Sequence, residues 1–428
     1  MIQKSLAIIV AFVTISSVSA QDKNSKFLKK NKEVVTASDM ASPLFDAAFY
    51  QNDYFLFGEL HGSAEPQQID LALLKLLHEK AGVRHYIAEV DHTKACLLNR
   101  FLANGNTELL DQVFRSWKAD TAQWANRQYY EKFRELYSWQ QSLPADQRIT
   151  VVGIDEPHDY ALVEEHIREI TQHLAMSEDR QQLDTLYGLI HGEPNKKSLA
   201  RFGKWFLELI EHNEAAFKES LGSDYPSFRH LIASFSFLDQ SRDRVMYANF
   251  ADQLSGFGWE NAKMYGFLGF YHCLQTTFNG SEPFAALVRK KAPDKKKTVT
   301  LQMFVLDSEC MMPLIAPMRR IIPPASVKKL AASNPEVARS GKYIATPLSY
   351  DSGMMSVSGI ASLSNASAAG TITLFRLTGK RSPYLHTTDL TTVTGMQQLS
   401  MTDPTAVTVD AFQYILLFRN CKAAVPLE

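Results

Sequence analysis

Apolar residues follow two rhythms along this chain. Short, nearly continuous runs of β-branched and aromatic residues, bounded by turn formers, predict strands over 54–60, 85–90, 149–154, 263–270 and 298–306. Two further runs predict strands over 371–376 and 412–418. Several of these runs do not alternate with polar residues, the pattern of strands covered on both faces. Between them apolar residues recur at helical spacing. Ile69, Leu73, Leu76 and Leu77 share one face of a helix over 67–80 that Pro66 opens, and further helices are expected over 95–102, 124–141 and 160–174. Strand alternating with helix predicts an α/β fold: a central, mostly parallel β-sheet flanked by helices.

The rhythm breaks over residues 178–258, where helical patterns at 181–190, 198–211 and 228–254 follow one another without a strand. This stretch reads as an inserted helical subdomain packed over one edge of the sheet and covering the cleft. Residues 343–400, rich in Ser, Thr and Gly, predict short strands and long loops. The domain reading is therefore a signal peptide over 1–20, a polar leader over 21–45 and one α/β domain over 46–428 that includes the insertion. Lys4, the apolar run 6–13 and Val18-Ser19-Ala20 carry the signal reading. The run is too short to span a bilayer, so the expectation is an exported protein, periplasmic or secreted, with no membrane contact after cleavage.

Composition narrows the classes. Forty-five Lys and Arg face 46 Asp and Glu, and the basic residues are scattered, so no nucleic-acid partner is expected. The four cysteines, Cys96, Cys273, Cys310 and Cys421, show no paired spacing; buried free thiols are the expectation.

Candidate chemistry lies where the strands end. Glu59 and His61 close the first strand, Glu89, Asp91 and His92 the second, Asp155, Glu156 and His158 the third, and His272 the fourth. In an open parallel sheet all carboxyl ends lie on one edge, the place where ligands bind. Glu59 and His61, two apart on extended chain, point the same way, and a carboxylate beside an imidazole fixes its tautomer and raises its basicity. The amides that open the helix at Pro66 are candidate donors to an anion or oxyanion. The histidines at 78, 85, 166, 173 and 212 read as core or surface residues, and the aromatics of 117–139 read as core.

Three motifs carry a family resemblance. Gly58-Glu-Leu-His-Gly-Ser-Ala-Glu65, followed after a helix by Ala88-Glu-Val-Asp91, resembles the opening of the erythromycin esterase-like family. Arg242-Asp-Arg-Val-Met-Tyr-Ala-Asn249 is similar to that family's Arg-Asp-x-x-Met-x-x-Asn helix, and Asp410-Ala-Phe-Gln-Tyr-Ile-Leu-Leu-Phe418 to its closing strand. The single residue between Glu59 and His61 is closer to a related group of bacterial haem-uptake and metalloprotease-like proteins that begin Gly-Glu-x-His. The esterase resemblance implies an ester or lactone hydrolase acting on a small molecule. It makes His61 the water-activating base, Glu59 and Glu89 its carboxylate partners, and His272 and Arg242 stabilisers of negative charge. Glu65, Asp91, Asp155 and His158 are expected to contact substrate, and Arg242 and Asn249, seven apart, to share a helix face toward the cleft.

No nucleophile elbow Gly-x-Ser-x-Gly is present, so a serine esterase is not expected. On this reading no cofactor is required. Two alternatives stay open. A divalent metal would be held by Glu59, His61 and His272 in a metallohydrolase or peptidase. A non-catalytic binder of haem or another ligand would use His61 or His272.

Overall fold

The computed structural model describes residues 23–172, 174, 177–192, 194–291, 296–395 and 398–428. The signal reading of 1–20 and His173 lie outside them. The centre is an eight-stranded sheet built from β1 (Lys32–Val35), β2 (Tyr54–Glu59), β3 (His85–Ala88), β4 (Thr150–Gly153), β5 (Met264–Gly269), β6 (Thr298–Leu306), β7 (Ile372–Arg376) and β8 (Tyr414–Arg419). Their order is β1-β7-β8-β6-β2-β5-β3-β4. From β8 to β4 every neighbour is parallel, and only β7 runs against its neighbours.

The unbroken apolar runs explain this placement. Phe55, Phe57, Tyr86, Ala88, Val151, Tyr265 and Phe267 point into the main core, while Tyr54, Leu56, Ile87, Val152, Met264 and Leu268 point into a second core on the opposite face. Helices α1 (Pro66–Ala81), α2 (His92–Asn104), α3 (Thr107–Ala119) and α4 (Arg127–Gln140) contribute to the main core. The second core is closed by α10 (Arg242–Gly256) and α11 (Phe284–Lys291), through Met246, Phe250, Phe284 and Val288.

Five helices form the cap: α5 (Tyr160–Ile170), α6 (Ser177–Ile190), α7 (Lys196–His212), α8 (Glu214–Leu221) and α9 (Tyr225–Ser236). They share their own apolar core, which runs from Val163 to Leu238. The boundaries therefore differ from the expected 178–258. Val163 and Ile167 bring α5 into the cap, whereas Met246 and Phe250 assign α10 to the sheet. The expected single helix over 228–254 is two, because Ser241 takes an extended backbone (φ −69°, ψ 151°) between them.

The polar leader is also corrected. Residues 23–30 are helical and β1 pairs with β7 along the sheet edge, with Leu28, Val35, Met40 and Phe45 in the main core. Its lysines mark the outward side of an edge element, where charge is tolerated. Among the described residues no helix is long and apolar enough to cross a membrane, and all four cysteines are free thiols.

Because the cap has its own core, truncating it is expected to cost what any core truncation costs. Phe228→Ala, at a fully buried position, is expected to lower stability by about 3–5 kcal/mol, measured by urea denaturation.

Candidate active site

Strands β2, β5, β3 and β4 are consecutive neighbours, so the groups at their carboxyl ends meet. Nδ1 of His61 bonds Oε1 of Glu59 at 2.9 Å, and Gln67 Nε2 donates to the other Glu59 oxygen at 3.2 Å. On the far side of the ring, Nε2 lies 3.9 Å from Glu89 Oε1. That same oxygen is 3.6 Å from His272 Nε2, so one carboxylate oxygen stands between two imidazoles. Its partner Oε2 accepts the Gly269 N–H at 2.6 Å.

Gly269 makes this approach feasible. A Cβ there would come within 3.0 Å of His61 Nε2 and 3.3 Å of Glu89 Oε2. Trp124 packs on the His61 ring, with centroids 4.8 Å apart and planes inclined at 57°.

One guanidinium organises the acids. Arg242 Nε donates to Asp155 Oδ1 at 3.0 Å, and Nη2 donates to Asp155 Oδ2 at 2.5 Å and to Glu89 Oε1 at 2.8 Å. Nη1 lies 3.3 Å from His272 Nε2. Asp243, the next residue on α10, takes the other nitrogen of His272 at 2.8 Å and also accepts the Phe284 N–H at 2.7 Å. Helix α10 is itself seated on the third strand end. Asn249 donates to the carbonyls of Ile154 and Asp155, both at 3.1 Å, and Gln253 to that of Gly153 at 2.7 Å.

The electrostatics follow from these contacts. Burial disfavours a charged His61, but the hydrogen bond and charge of Glu59, together with the charge of Glu89, outweigh it and raise its pKa above the ordinary value. His272 is likewise raised against burial, by Glu89 and Asp243. Glu89 is buried yet held below the usual carboxylate range by His272, His61 and Arg242. Asp155 is held well below that range, again against burial, by the nearby His158 imidazole and by the hydrogen bonds and charge of Arg242.

Glu59, His61, Glu89, Asp155, Arg242 and His272 are thus brought together. His158 stands at the rim, 53% exposed, with Nε2 3.7 Å from Asp155. Other expected site residues serve elsewhere. Asp91 caps α2 through the Lys94 N–H at 3.0 Å and pairs with Lys94 Nζ at 2.7 Å, both side chains buried. Glu65 bonds the Lys422 N–H and the Cys421 thiol. Asn249 faces strand carbonyls, not the cleft. His92 starts α2 and turns to Ser227 and His230 of the cap. Of the amides expected to form an oxyanion cradle before α1, that of Ala64 is engaged, donating to the Lys422 carbonyl at 2.9 Å.

Trp124, Gln67, Gly269 and Asp243 were not singled out by the sequence. Only Asp243, adjacent to Arg242 in the helix motif, had a signal that pointed to it. Among the described residues no group of three or more His, Cys, Asp or Glu side chains is placed to hold a metal ion.

Three solved structures align with nearly the whole chain. A Bacillus cereus protein aligns with TM-score 0.68 and 12% identity over 95% of this chain and 99% of its own. A succinoglycan biosynthesis protein gives 0.65 and 11% over 96% and 99%. An erythromycin esterase, as a histidine-to-asparagine variant in its open conformation, gives 0.64 and 11% over 93% and 99%. The chain therefore has the fold of an erythromycin esterase. The sequence matches no protein-family model and no curated protein.

Two substitutions separate the site from its supports. Asp91→Ala strands a buried Lys94 and is expected to cost about 3–5 kcal/mol in urea denaturation, with the titration of His61 unchanged. Glu89→Gln removes a charge that both imidazoles share, so the pKa values of His61 and His272 are expected to fall, read from their ring-proton NMR shifts.

Proposed function

We propose that the protein is a hydrolase that cleaves a carboxylic ester or lactone of a small molecule by water that His61 deprotonates. The observation that carries this reading is the engagement of His61 on one side only. Glu59 takes the Nδ1–H, which leaves the Nε2 lone pair facing the site, and the side chain stays 24% exposed. A 3.9 Å separation from Glu89 is too long for a direct hydrogen bond and suits a bridging water.

His61 Nε2 takes a proton from water as the hydroxide oxygen bonds the carbonyl carbon. The carbonyl π pair moves to oxygen, where protonated His272 and the Arg242 Nη1 side of the guanidinium oppose the new charge. When the intermediate collapses, the C–O bond to the leaving group breaks and His272 supplies the proton that makes it an alcohol. Glu89, between both Nε2 atoms, lets the proton held by His61 return to His272. Water is consumed, and an acid and an alcohol leave.

Esterase chemistry in a protein of the same fold supports this reading. Arg242 already stands between Glu89 and Asp155, where a cation would be drawn, and in this reading water and side chains alone supply the chemistry. In the same reading residues 1–20 direct export to the periplasm or beyond.

The test is a panel of p-nitrophenyl esters and lactones, assayed with and without chelator. Hydrolysis that survives chelation is expected, and hydrolysis abolished by chelation and restored by a divalent ion would replace this mechanism. His61→Ala is expected to lower kcat/KM about 10²–10⁴-fold in a folded protein. A base works only when unprotonated, so kcat/KM is expected to rise with pH through a midpoint above about 6.5, the ordinary histidine value. Glu89→Gln removes one charge that raises the midpoint and is expected to shift it to lower pH.

A further inference from the structure

His61 lies beyond the end of β2, so no sheet hydrogen bond holds its backbone. Gln123 binds the His61 carbonyl and Met311 N–H donates to the Gly62 carbonyl at 2.8 Å, and the further contacts to residues 62–64 come from the segment 422–424. The Lys422 carbonyl accepts the Ala64 N–H at 2.9 Å, Ala423 bridges to Ser63, and Ala424 N–H donates to the Gly62 carbonyl at 2.8 Å. On its other edge the same segment binds the loop that carries Trp124. The Val425 carbonyl accepts Arg127 N–H at 2.8 Å, and Leu427 N–H donates to the Ala125 carbonyl at 2.9 Å.

Two side chains lock this arrangement. Glu65 accepts the Lys422 N–H with both oxygens, at 3.2 and 3.0 Å, and the Cys421 thiol at 2.6 Å. Gln123 ties the two loops, donating to the His61 carbonyl at 3.3 Å and the Met311 carbonyl at 2.6 Å. The fit is close. Gly62 has φ +84°, and a Cβ there would lie 2.4 Å from the Met311 carbonyl oxygen. Ala423 and Ala424 are buried against Met311, Val337 and Tyr343.

We propose that residues 421–427 are a brace, closed by Glu65, that sets the position of His61 between Glu59 and Trp124. Glu65 and the tail are positioning elements: they touch no substrate and act through His61. The proposal rests on the reading of His61 as the base. A loosened loop would let the imidazole drift from Glu59, and displacements of about 1 Å cost catalysis about 10²-fold.

The experiment compares wild type with Glu65→Ala, Glu65→Gln and a chain ending at Asn420, using the most active p-nitrophenyl ester. Glu65→Ala is expected to lower kcat about 10²-fold with KM within about twofold. The midpoint of its acidic limb is expected to fall toward the ordinary histidine value, because the Glu59 contact is loosened. Glu65→Gln, which keeps an acceptor for the Lys422 N–H, is expected to restore most of the rate. A synthetic peptide of residues 421–428 is expected to restore rate to the shortened chain; if that chain does not fold, Glu65→Ala decides.

A second readout needs no turnover. An imidazolium in ring contact quenches indole emission, so wild type minus Trp124→Phe isolates a pH-dependent quench whose midpoint Glu65→Ala is expected to lower. Unchanged kcat, pH profile and quench in Glu65→Ala would overturn the brace while leaving the esterase reading intact. A shifted quench in a protein that hydrolyses no ester would uphold the brace and remove that reading.

Discussion

Glu89 and Asp155 are almost wholly buried and both bond the same Arg242 nitrogen, at 2.8 and 2.5 Å. Two carboxylates so close in a poorly solvated place do not both stay ionised unaided; one takes up a proton. The guanidinium between them makes a doubly ionised edge tenable, and the rest of the site depends on it. An ionised Glu89 raises the proton affinity of His61 and His272 together, whereas a protonated one would leave His61 to Glu59 and His272 to Asp243 alone.

The guanidinium is in place because of how α10 is seated. The helix packs its apolar face on the sheet through Met246 and Phe250 and fastens to the carbonyls of β4 and its extension through Asn249 and Gln253. Arg242 and Asp243, at its first turn, then reach Asp155, Glu89 and His272. The cap meets this edge from the other side, where Lys196 at the start of α7 pairs with Glu156 at 2.7 Å, next to Asp155.

Much of this was legible in the residues, for physical reasons. Uninterrupted apolar runs such as Tyr54–Phe57 can be buried only on both faces, and that demanded a covered parallel sheet. A parallel sheet in turn forced Glu59, Glu89, Asp155 and His272 to one edge. What was not legible depended on contacts between distant parts of the chain. Asp91 and Glu65 sit in the same motifs as Glu89 and His61, but a neighbouring Lys94 and the distant Cys421–Lys422 claim them. Trp124 reads as one aromatic among several in a helical pattern until the loop before α4 places it on His61. The cap boundary moved because Val163 and Met246 have the same local pattern, and only packing decides which core each enters.

For His61 to act as the base, Glu59 must hold it as the Nδ1–H tautomer, with Nε2 free to take a proton from water. The most direct measurement is the nitrogen-15 NMR spectrum of His61 above its pKa, assigned by comparison with His61→Ala. A pyrrole-type, protonated shift is expected at Nδ1 and a pyridine-type shift at Nε2, exchanged for two protonated shifts as the pH falls. A neutral ring protonated at Nε2 would contradict it, because that tautomer presents no base to the site.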